Sequence, residues 1–480
     1  MIQSQCKLFW ASSYIMQTPE HFTLHNTWKY QSISHETIMS LPLSILFSFT
    51  LLLLYALPLQ AAFLSPVRKD HTTLQYTLPI LLKTPLQPTQ LVLDLGGSFS
   101  WINCYNNYTS STYHHIFCDT PLCTYTQSFA CGNCYDKPFG PNCANNTCDL
   151  FPENPIIRDR GLDSVGLDDA LTDTLALPTT DGKAQGPLGL VHDFIFSCAK
   201  ASLLKKLANG ATGMAGLGRS NISLQAQVSD SVSASRYFAL CLSGSKTDPG
   251  VVFFGTGGPY YFLPKIDLSL FLIYTPLLVN PSGSTLIVYP HPSDEYYIGL
   301  TSVVVNGKVA PINASLLAID ESGFGGTKIS TVNPYTVLQS SIYKAVTEAF
   351  VKESATFNLT VTKPVKPFSV CYPAGQIMSW RVGPRVPTVD LVLHSKSVVW
   401  RIYGSNSMVR IIKKGLDLWC LGFVDGGAKA KTSIVIGGYQ IEDNLLQFDL
   451  KSNRLGLTSS ILVHGTTCAN FNFTAKSTKI

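Results

Sequence analysis

Leu91-Val92-Leu93-Asp94-Leu95-Gly96-Gly97-Ser98-Phe99-Ser100-Trp101-Ile102-Asn103-Cys104 is the stretch that decides how the rest of the chain is read. An apolar run at strand period ends in an aspartate. Glycine follows after one residue and lets the backbone turn sharply, so that the carboxylate is presented at a strand end. A second strand, Trp-hydrophobic-x-Cys, leads away from the turn. Such a carboxylate is either a catalytic acid or a structural acceptor of backbone N–H groups at a turn.

Outward from this point, short strand-like runs dominate. Leu91–Leu93, His192–Phe196, Val251–Phe254, Thr301–Val305, Val389–Leu393 and Ser433–Ile436 are rich in β-branched and aromatic residues, with Gly, Pro, Asn or Asp between them. The best helical signal is Asn333-Pro334, an N-cap and first-turn proline, leading into Leu338, Ile342, Val346 and Phe350. Long helices do not alternate with the strands, which argues for an all-β chain over a parallel α/β one. A connector bracketed by Pro259, Pro264 and Pro276 suggests two domains, 63–265 and 266–480.

Residues 41–59 form an almost uninterrupted apolar run without charge, followed by Gln60-Ala61-Ala62. That pattern predicts a signal peptide over 39–62, with Met39 as the start and 1–38 as a doubtful extension. A signal anchor is the alternative, and the missing basic residue after Met39 weakens the leader reading. Of 13 cysteines, Cys6 precedes the run. The other twelve, Cys104, Cys118, Cys123, Cys131, Cys134, Cys143, Cys148, Cys198, Cys241, Cys371, Cys420 and Cys468, suit six disulfides in an oxidising compartment. Seven fall within 104–148, which reads as an irregular, disulfide-held insertion. Cys131-x-x-Cys134 also has zinc-ligand spacing, but no metal site is expected. Sequons at Asn107, Asn145, Asn221, Asn313, Asn358 and Asn472 point the same way, to a secreted, extracellular protein of the apoplast or cell wall.

The net charge of +5 is scattered, with Lys205-Lys206 and Lys413-Lys414 the nearest thing to a cluster. Nucleic-acid binding needs a concentrated patch and is not expected. Loose association with acidic cell-wall polysaccharide suits a mildly basic secreted protein. No G-x-S-x-G, H-E-x-x-H or P-loop order occurs. No cofactor is expected, nor membrane attachment once the leader is removed.

The Asp94 stretch resembles the first active-site motif of pepsin-like aspartic proteases in their plant-type form. Gly213-Met-Ala-Gly-Leu-Gly218-Arg, Ser433-Ile-Val-Ile-Gly-Gly438, Asn444–Asp449 and Arg454-Leu-Gly-Leu457 follow in the family's order, over nearly the whole mature chain. The resemblance implies an all-β, bilobal pepsin-like fold of two β-barrel-like domains with few short helices. It also implies a second motif, Gly-Gly-Thr, two hydrophobics, then Asp-Ser-Gly. Here that segment reads Gly325-Gly326-Thr327-Lys328-Ile329-Ser330-Thr331-Val332. Ser330 stands at the aspartate position and Val332 at the glycine position, while Leu95 replaces the hydroxyl residue of the first motif. Asp320 lies ten residues too early to substitute.

An aspartic protease needs two carboxylates that share a proton, one acting as base toward water and the other as acid. Serine supplies neither role near neutral pH. No catalytic residue is therefore expected, and Asp94 should be a structural carboxylate without a neighbour that perturbs it. The same departures, with Asn145–Pro152, Lys328–Tyr335 and Thr467–Phe473, resemble one plant group: extracellular dermal glycoprotein, basic 7S globulin and the wheat-type xylanase inhibitors. The resemblance implies a defensive inhibitor whose partners are secreted microbial xylanases or xyloglucan endoglucanases. In the xylanase-inhibiting branch a histidine four residues before the last cysteine enters the hydrolase site, and His464 has that spacing to Cys468. In the endoglucanase-inhibiting branch an arginine precedes the Thr-Ser-Ile-Val-Ile-Gly-Gly run. Lys431 holds that place, keeping the charge but not bidentate pairing. The competing readings are an active aspartic endopeptidase and a basic 7S globulin-like storage or peptide-binding protein.

Overall fold

In the computed structural model the described residues are 62–474, apart from 106–107, 129, 136, 158–164, 284–290 and 414. The extension, Cys6, Asn107 and all but the last residue of the expected leader lie outside them. That last residue, Ala62, opens the first strand, paired with Thr180.

Three antiparallel strands, β1 (Ala62–Lys69), β2 (Tyr76–Leu82) and β3 (Gln87–Asp94), begin the N-terminal half. Tyr76, Leu78, Ile80 and Leu82 alternate along β2, all buried on one face, as the two-residue period of a strand requires. β3 then pairs in parallel with Gly213–Gly216, which pairs with β4 (Trp101–Asn103). From β4 the ladder runs through Gln185–Ala199 and Asp168–Thr180 back to β1. These seven strands form a closed barrel, which leaves no unpaired edge inside it.

A six-stranded antiparallel sheet joins the two halves: β1, Gly250–Phe254, Tyr237–Cys241, Leu445–Asp449, Arg454–Leu457 and Ile273–Leu278. Phe238 and Phe448, one from each half, stack with ring centroids 4.4 Å apart. The Cys241–Cys468 disulfide crosses the same seam. Beyond it, Thr327–Ile329 pairs in parallel with Ile434–Ile436, as β3 does with Gly213–Gly216. Ser302–Val305, Val389–Val392 and Val399–Ile402 pair in a further sheet. The all-β, bilobal expectation holds, and the six runs named from sequence all contribute strands.

The long helix is Ser340–Ser354, not a continuation of Asn333-Pro334. Thr336–Leu338 is drawn into the sheet by Phe423–Asp425 and Ile434–Ile436, and Gln339 caps the helix instead, accepting from the Ser341 and Ile342 amides.

Among the described residues five disulfides form rather than six. Cys118–Cys131, Cys123–Cys148 and Cys134–Cys143 hold the insertion, and Cys371–Cys420 joins two strands. Cys131 and Cys134 thus belong to separate bridges, which removes the zinc reading. The insertion is also more regular than expected, since Ala130–Asn133 and Asn145–Leu150 form a hairpin. Cys104 and Cys198 are buried thiols. The parallel register sets Cys198 opposite Ile102, two residues short of Cys104, and the Cys104 thiol donates to the Ile102 carbonyl at 3.4 Å.

Candidate functional site

β3 and Gly213–Gly216 set Asp94 opposite Gly216 at the end of their parallel pair. On the other side, Ile329 stands opposite Ile436 at the end of the equivalent pair. One step further in that register is Ser330, whose amide donates to the Ile436 carbonyl at 2.9 Å. Ser330 therefore occupies in the C-terminal half the topological place that Asp94 holds in the N-terminal half. Its hydroxyl donates to Asn333 Oδ1 at 2.9 Å and accepts from the Asn333 amide at 3.3 Å, which closes a local turn.

The two loops are joined by one residue. Thr331 Oγ1 donates to the Leu93 carbonyl at 2.8 Å and accepts from the Leu95 amide at 3.0 Å, clasping both sides of Asp94 from the opposite half. The reciprocal clasp would have to come from residue 95. Leu95 has no hydroxyl, and its side chain is fully buried in the core. Val332 packs against the cluster around Trp101 and Met214. Asp320 caps its own turn, accepting from the Ser322 and Phe324 amides.

Asp94 does not stand alone. Glu295, from the segment leading into Tyr297–Ile298, reaches across the turn, and Lys328 comes from Thr327–Ile329 beside it. Lys328 Nζ and Glu295 Oε1 lie 2.6 Å apart, both side chains 17% exposed. The Ser293 and Tyr297 hydroxyls donate to the other Glu295 oxygen at 3.2 and 3.3 Å. Gly96 is required here for space and not for its turn: a Cβ on it would sit 2.9 Å from Glu295 Cγ. Asp94 Oδ1 accepts from the Gly96 amide at 3.0 Å. Asp94, Glu295, Phe99, Trp101 and Met214 border a cavity of about 80 Å³.

Burial pushes the Asp94 carboxyl up to about 6, with Glu295 adding to the rise and the Gly96 amide and Lys328 opposing it. The Glu295 carboxyl is held below its ordinary value by Lys328 despite burial. The expectation of an unperturbed Asp94 is thus corrected. Both residues were missed in the sequence. Lys328 left a signal, a charge in a slot where the family pattern puts an apolar residue; Glu295, more than thirty positions upstream, left none.

Burial raises other carboxyls too. Asp149 is pushed to about 7, with Asp169 and Asp168 adding to the effect, and Asp443 to about 6. Native carboxyls with raised pKa hold protons that the unfolded chain releases near pH 4, so their stabilising contribution is lost as pH rises from about 4 to 7. His115 and His464, lowered by burial, act in the opposite sense below about 6.5 but are fewer. The expected result is a melting temperature about 5 °C lower at pH 8 than at pH 5. Differential scanning calorimetry checks it, and a higher value at pH 8 contradicts it.

The two surface candidates sit in different settings. Lys431 is not a solvated loop lysine: its Nζ donates to the Ser282 and Gly283 carbonyls at 3.2 and 2.8 Å and to Ser282 Oγ at 3.3 Å. His464 ends the short 3-10 turn Ile461–His464, just ahead of the Cys241–Cys468 bridge, and stacks on Phe271 with centroids 3.8 Å apart. Leu270, 78% exposed, and Val463, 40% exposed, flank it.

A seven-stranded barrel, an inter-half sheet and two parallel pairs ending at Asp94 and Ser330 define a pepsin-fold protein. Family models described as xylanase inhibitor N-terminal and xylanase inhibitor C-terminal match residues 76–256 and 295–459. A Glycine max protein named probable aspartic proteinase GIP1 is 53% identical over 88% of this chain and 95% of its own length. The crystal structure of edgp superposes with a TM-score of 0.83 at 51% identity, covering 86% of this chain and 98% of that one. The crystal structure of basic 7S globulin from soybean gives 0.72 at 32%, covering 85% and 98%. This chain belongs to the xylanase-inhibitor family of pepsin-fold proteins. Names within the family range from proteinase to globulin, so whether this chain cuts has to be decided at its own site.

Proposed function

We propose that this protein is a secreted, non-proteolytic inhibitor of microbial glycoside hydrolases of the xylanase or xyloglucan-endoglucanase type, working in the plant apoplast. The observation that carries the reading is Ser330 at the place across from Asp94, in a chain matched along both halves by xylanase-inhibitor models. Without a second carboxylate to take the water proton, the peptide-cleaving step has no base and acid in tandem. The nearest other carboxylate, Glu295, is neutralised by Lys328 and fits the base role poorly.

His464 is the contact we assign to the hydrolase. Its ring is pre-oriented by Phe271 and its turn is tethered by the Cys241–Cys468 disulfide, which limits the entropy lost on binding. An imidazole brought between two catalytic carboxylates would take up a proton and pair with them. Lys431 supports binding through the loop 282–283 that it holds in place, and adds positive charge on the same half.

A panel of fungal xylanases and xyloglucan-specific endoglucanases, titrated with the pure protein, is expected to give a stoichiometric end point with at least one member. Full activity of every member in molar excess of the protein rejects the reading for those enzymes. For a xylanase target, His464→Ala should cost about 2 kcal/mol of binding, some thirtyfold in inhibition constant. Lys431→Ala should cost less, since its primary contacts are within its own chain. An unchanged constant for His464→Ala removes that residue from the interface.

A further inference from the structure

Asn358-Leu359-Thr360 is one of the chain's N-x-S/T sequences, and its surroundings differ from those of the other described ones. Asn145, Asn221, Asn313 and Asn472 all use their side-chain oxygens to hold local structure. The exposed Asn358 carboxamide makes no hydrogen bond among the described residues. The backbone there is left-handed, φ 59° and ψ 32°, at the end of the turn Ala355–Phe357. Leu359 is buried next to it, and the Thr360 amide donates to Gln376 Oε1 at 3.0 Å. Its neighbours are therefore fixed while the Asn358 side chain faces solvent.

Beside Asn358 runs a groove of about 370 Å³, bordered by Asn306, Phe357, Gln376, Met378 and Arg385. That size lies in the range of small-ligand pockets, roughly 300–1,000 Å³. Met378, which lines the groove, is 61% exposed, and Trp380, 58% exposed, packs on Arg385 without lining it. The Arg385 guanidinium lies 4.8 Å from the Trp380 ring centroid and 5.9 Å from that of Phe357. It makes no ion pair and no hydrogen bond through its side chain among the described residues, so its five N–H donors remain for an outside acceptor. A thioether and a guanidinium held flat by two aromatic rings, with its N–H groups still to be bonded, suit a sugar ring. Its C–H face packs on apolar surface while its hydroxyl and acetamide oxygens accept hydrogen bonds.

We propose that Asn358 carries an N-linked glycan whose first N-acetylglucosamine residues lie in this groove, against Met378 and within reach of Arg385. The attachment is made during secretion, so the inference rests on the secreted reading. Asn358 Nδ2 loses one proton and bonds to C1 of the oligosaccharide. The C1–O bond to the lipid diphosphate donor breaks, and the diphosphate leaves with the electron pair. Oδ1 and one N–H of the carboxamide remain on the linked residue.

The test uses full-length protein from a plant secretory host, with glycopeptide mass spectrometry at each sequon. Release of the Asn358 glycan by a glycoamidase is then timed on the folded protein and on its Met378→Ala and Arg385→Ala variants. Both altered residues are exposed or partly so, and folding is checked by a melting temperature within about 2 °C of wild type. The expected result is an occupied Asn358 and a release rate raised about fivefold or more in the variants. Asn358 unmodified while other sequons are occupied overturns the site. No sequon occupied overturns it together with the secreted reading. Equal release rates in folded wild type and both variants overturn the groove contact.

Discussion

Lys328→Met lowers the stability of the folded protein by about 3–5 kcal/mol, the cost of leaving a buried charge without its partner. In the native site the Lys328 ammonium is 2.6 Å from Glu295, close to Asp94 as well. Methionine fills much of the same volume but leaves Glu295 and Asp94 as neighbouring carboxylates with no cation between them. One of them must then take a proton or draw in water, and the Asp94 carboxyl should rise further, since Lys328 is one of the groups that hold it down. The double variant Glu295→Gln/Lys328→Met removes both charges and should recover most of the loss, because neutral groups of similar size replace a buried ion pair at little net cost. Denaturant unfolding of the single and double variants at pH 7 measures both effects. A loss below about 1 kcal/mol for Lys328→Met would show the pair to be solvated and of little consequence.

Ser330→Asp, made alone, gives no measurable proteolysis at any pH. The substitution restores the carboxylate but not its setting. The new side chain would meet Asn333, whose oxygen now accepts from the serine hydroxyl, so the amide must turn before it can donate. Val332 keeps an isopropyl group where the family's motif has glycine, and Leu95 still lacks the hydroxyl that would return the clasp made by Thr331. The ammonium of Lys328 would hold a neighbouring carboxylate ionised instead of letting the pair share one proton. Each of these bears on acid–base steps worth about 10²–10⁴ in rate, so the single variant should stay at least about 10⁴-fold below a working aspartic protease. Activity is expected only when Leu95→Thr, Lys328→Ile and Val332→Gly accompany it. Measurable cleavage of an unfolded protein substrate at pH 3–5 by Ser330→Asp alone contradicts this.

Much of this site was legible in the sequence because it is carried by local order. Asp94 before Leu95-Gly96 and Ser330 after Gly-Gly-Thr are readable by register, and the structure puts each at the end of a parallel strand pair. The parts that were not legible depend on contacts between distant segments. Glu295 reaches Asp94 across some 200 residues of chain, and no local period marks it. The Thr331 clasp needs both loops in place before its hydroxyl has a meaning. The helix start was misplaced because Asn333-Pro334 has the local chemistry of a cap, whereas the ladder made by Thr336–Leu338 outweighs it. Cysteine parity gave six bridges, but pairing depends on strand register, and Cys198 faces Ile102 rather than Cys104.

The proposed function requires that this pepsin fold carry a site that does not cut. The most direct measurement is acid proteolysis by the pure wild-type protein, between pH 2.5 and 6, with and without a statine-type transition-state analogue. The expected result is no cleavage above that of an Asp94→Ala control and no effect of the analogue. Cleavage that the analogue blocks and Asp94→Ala abolishes would contradict it.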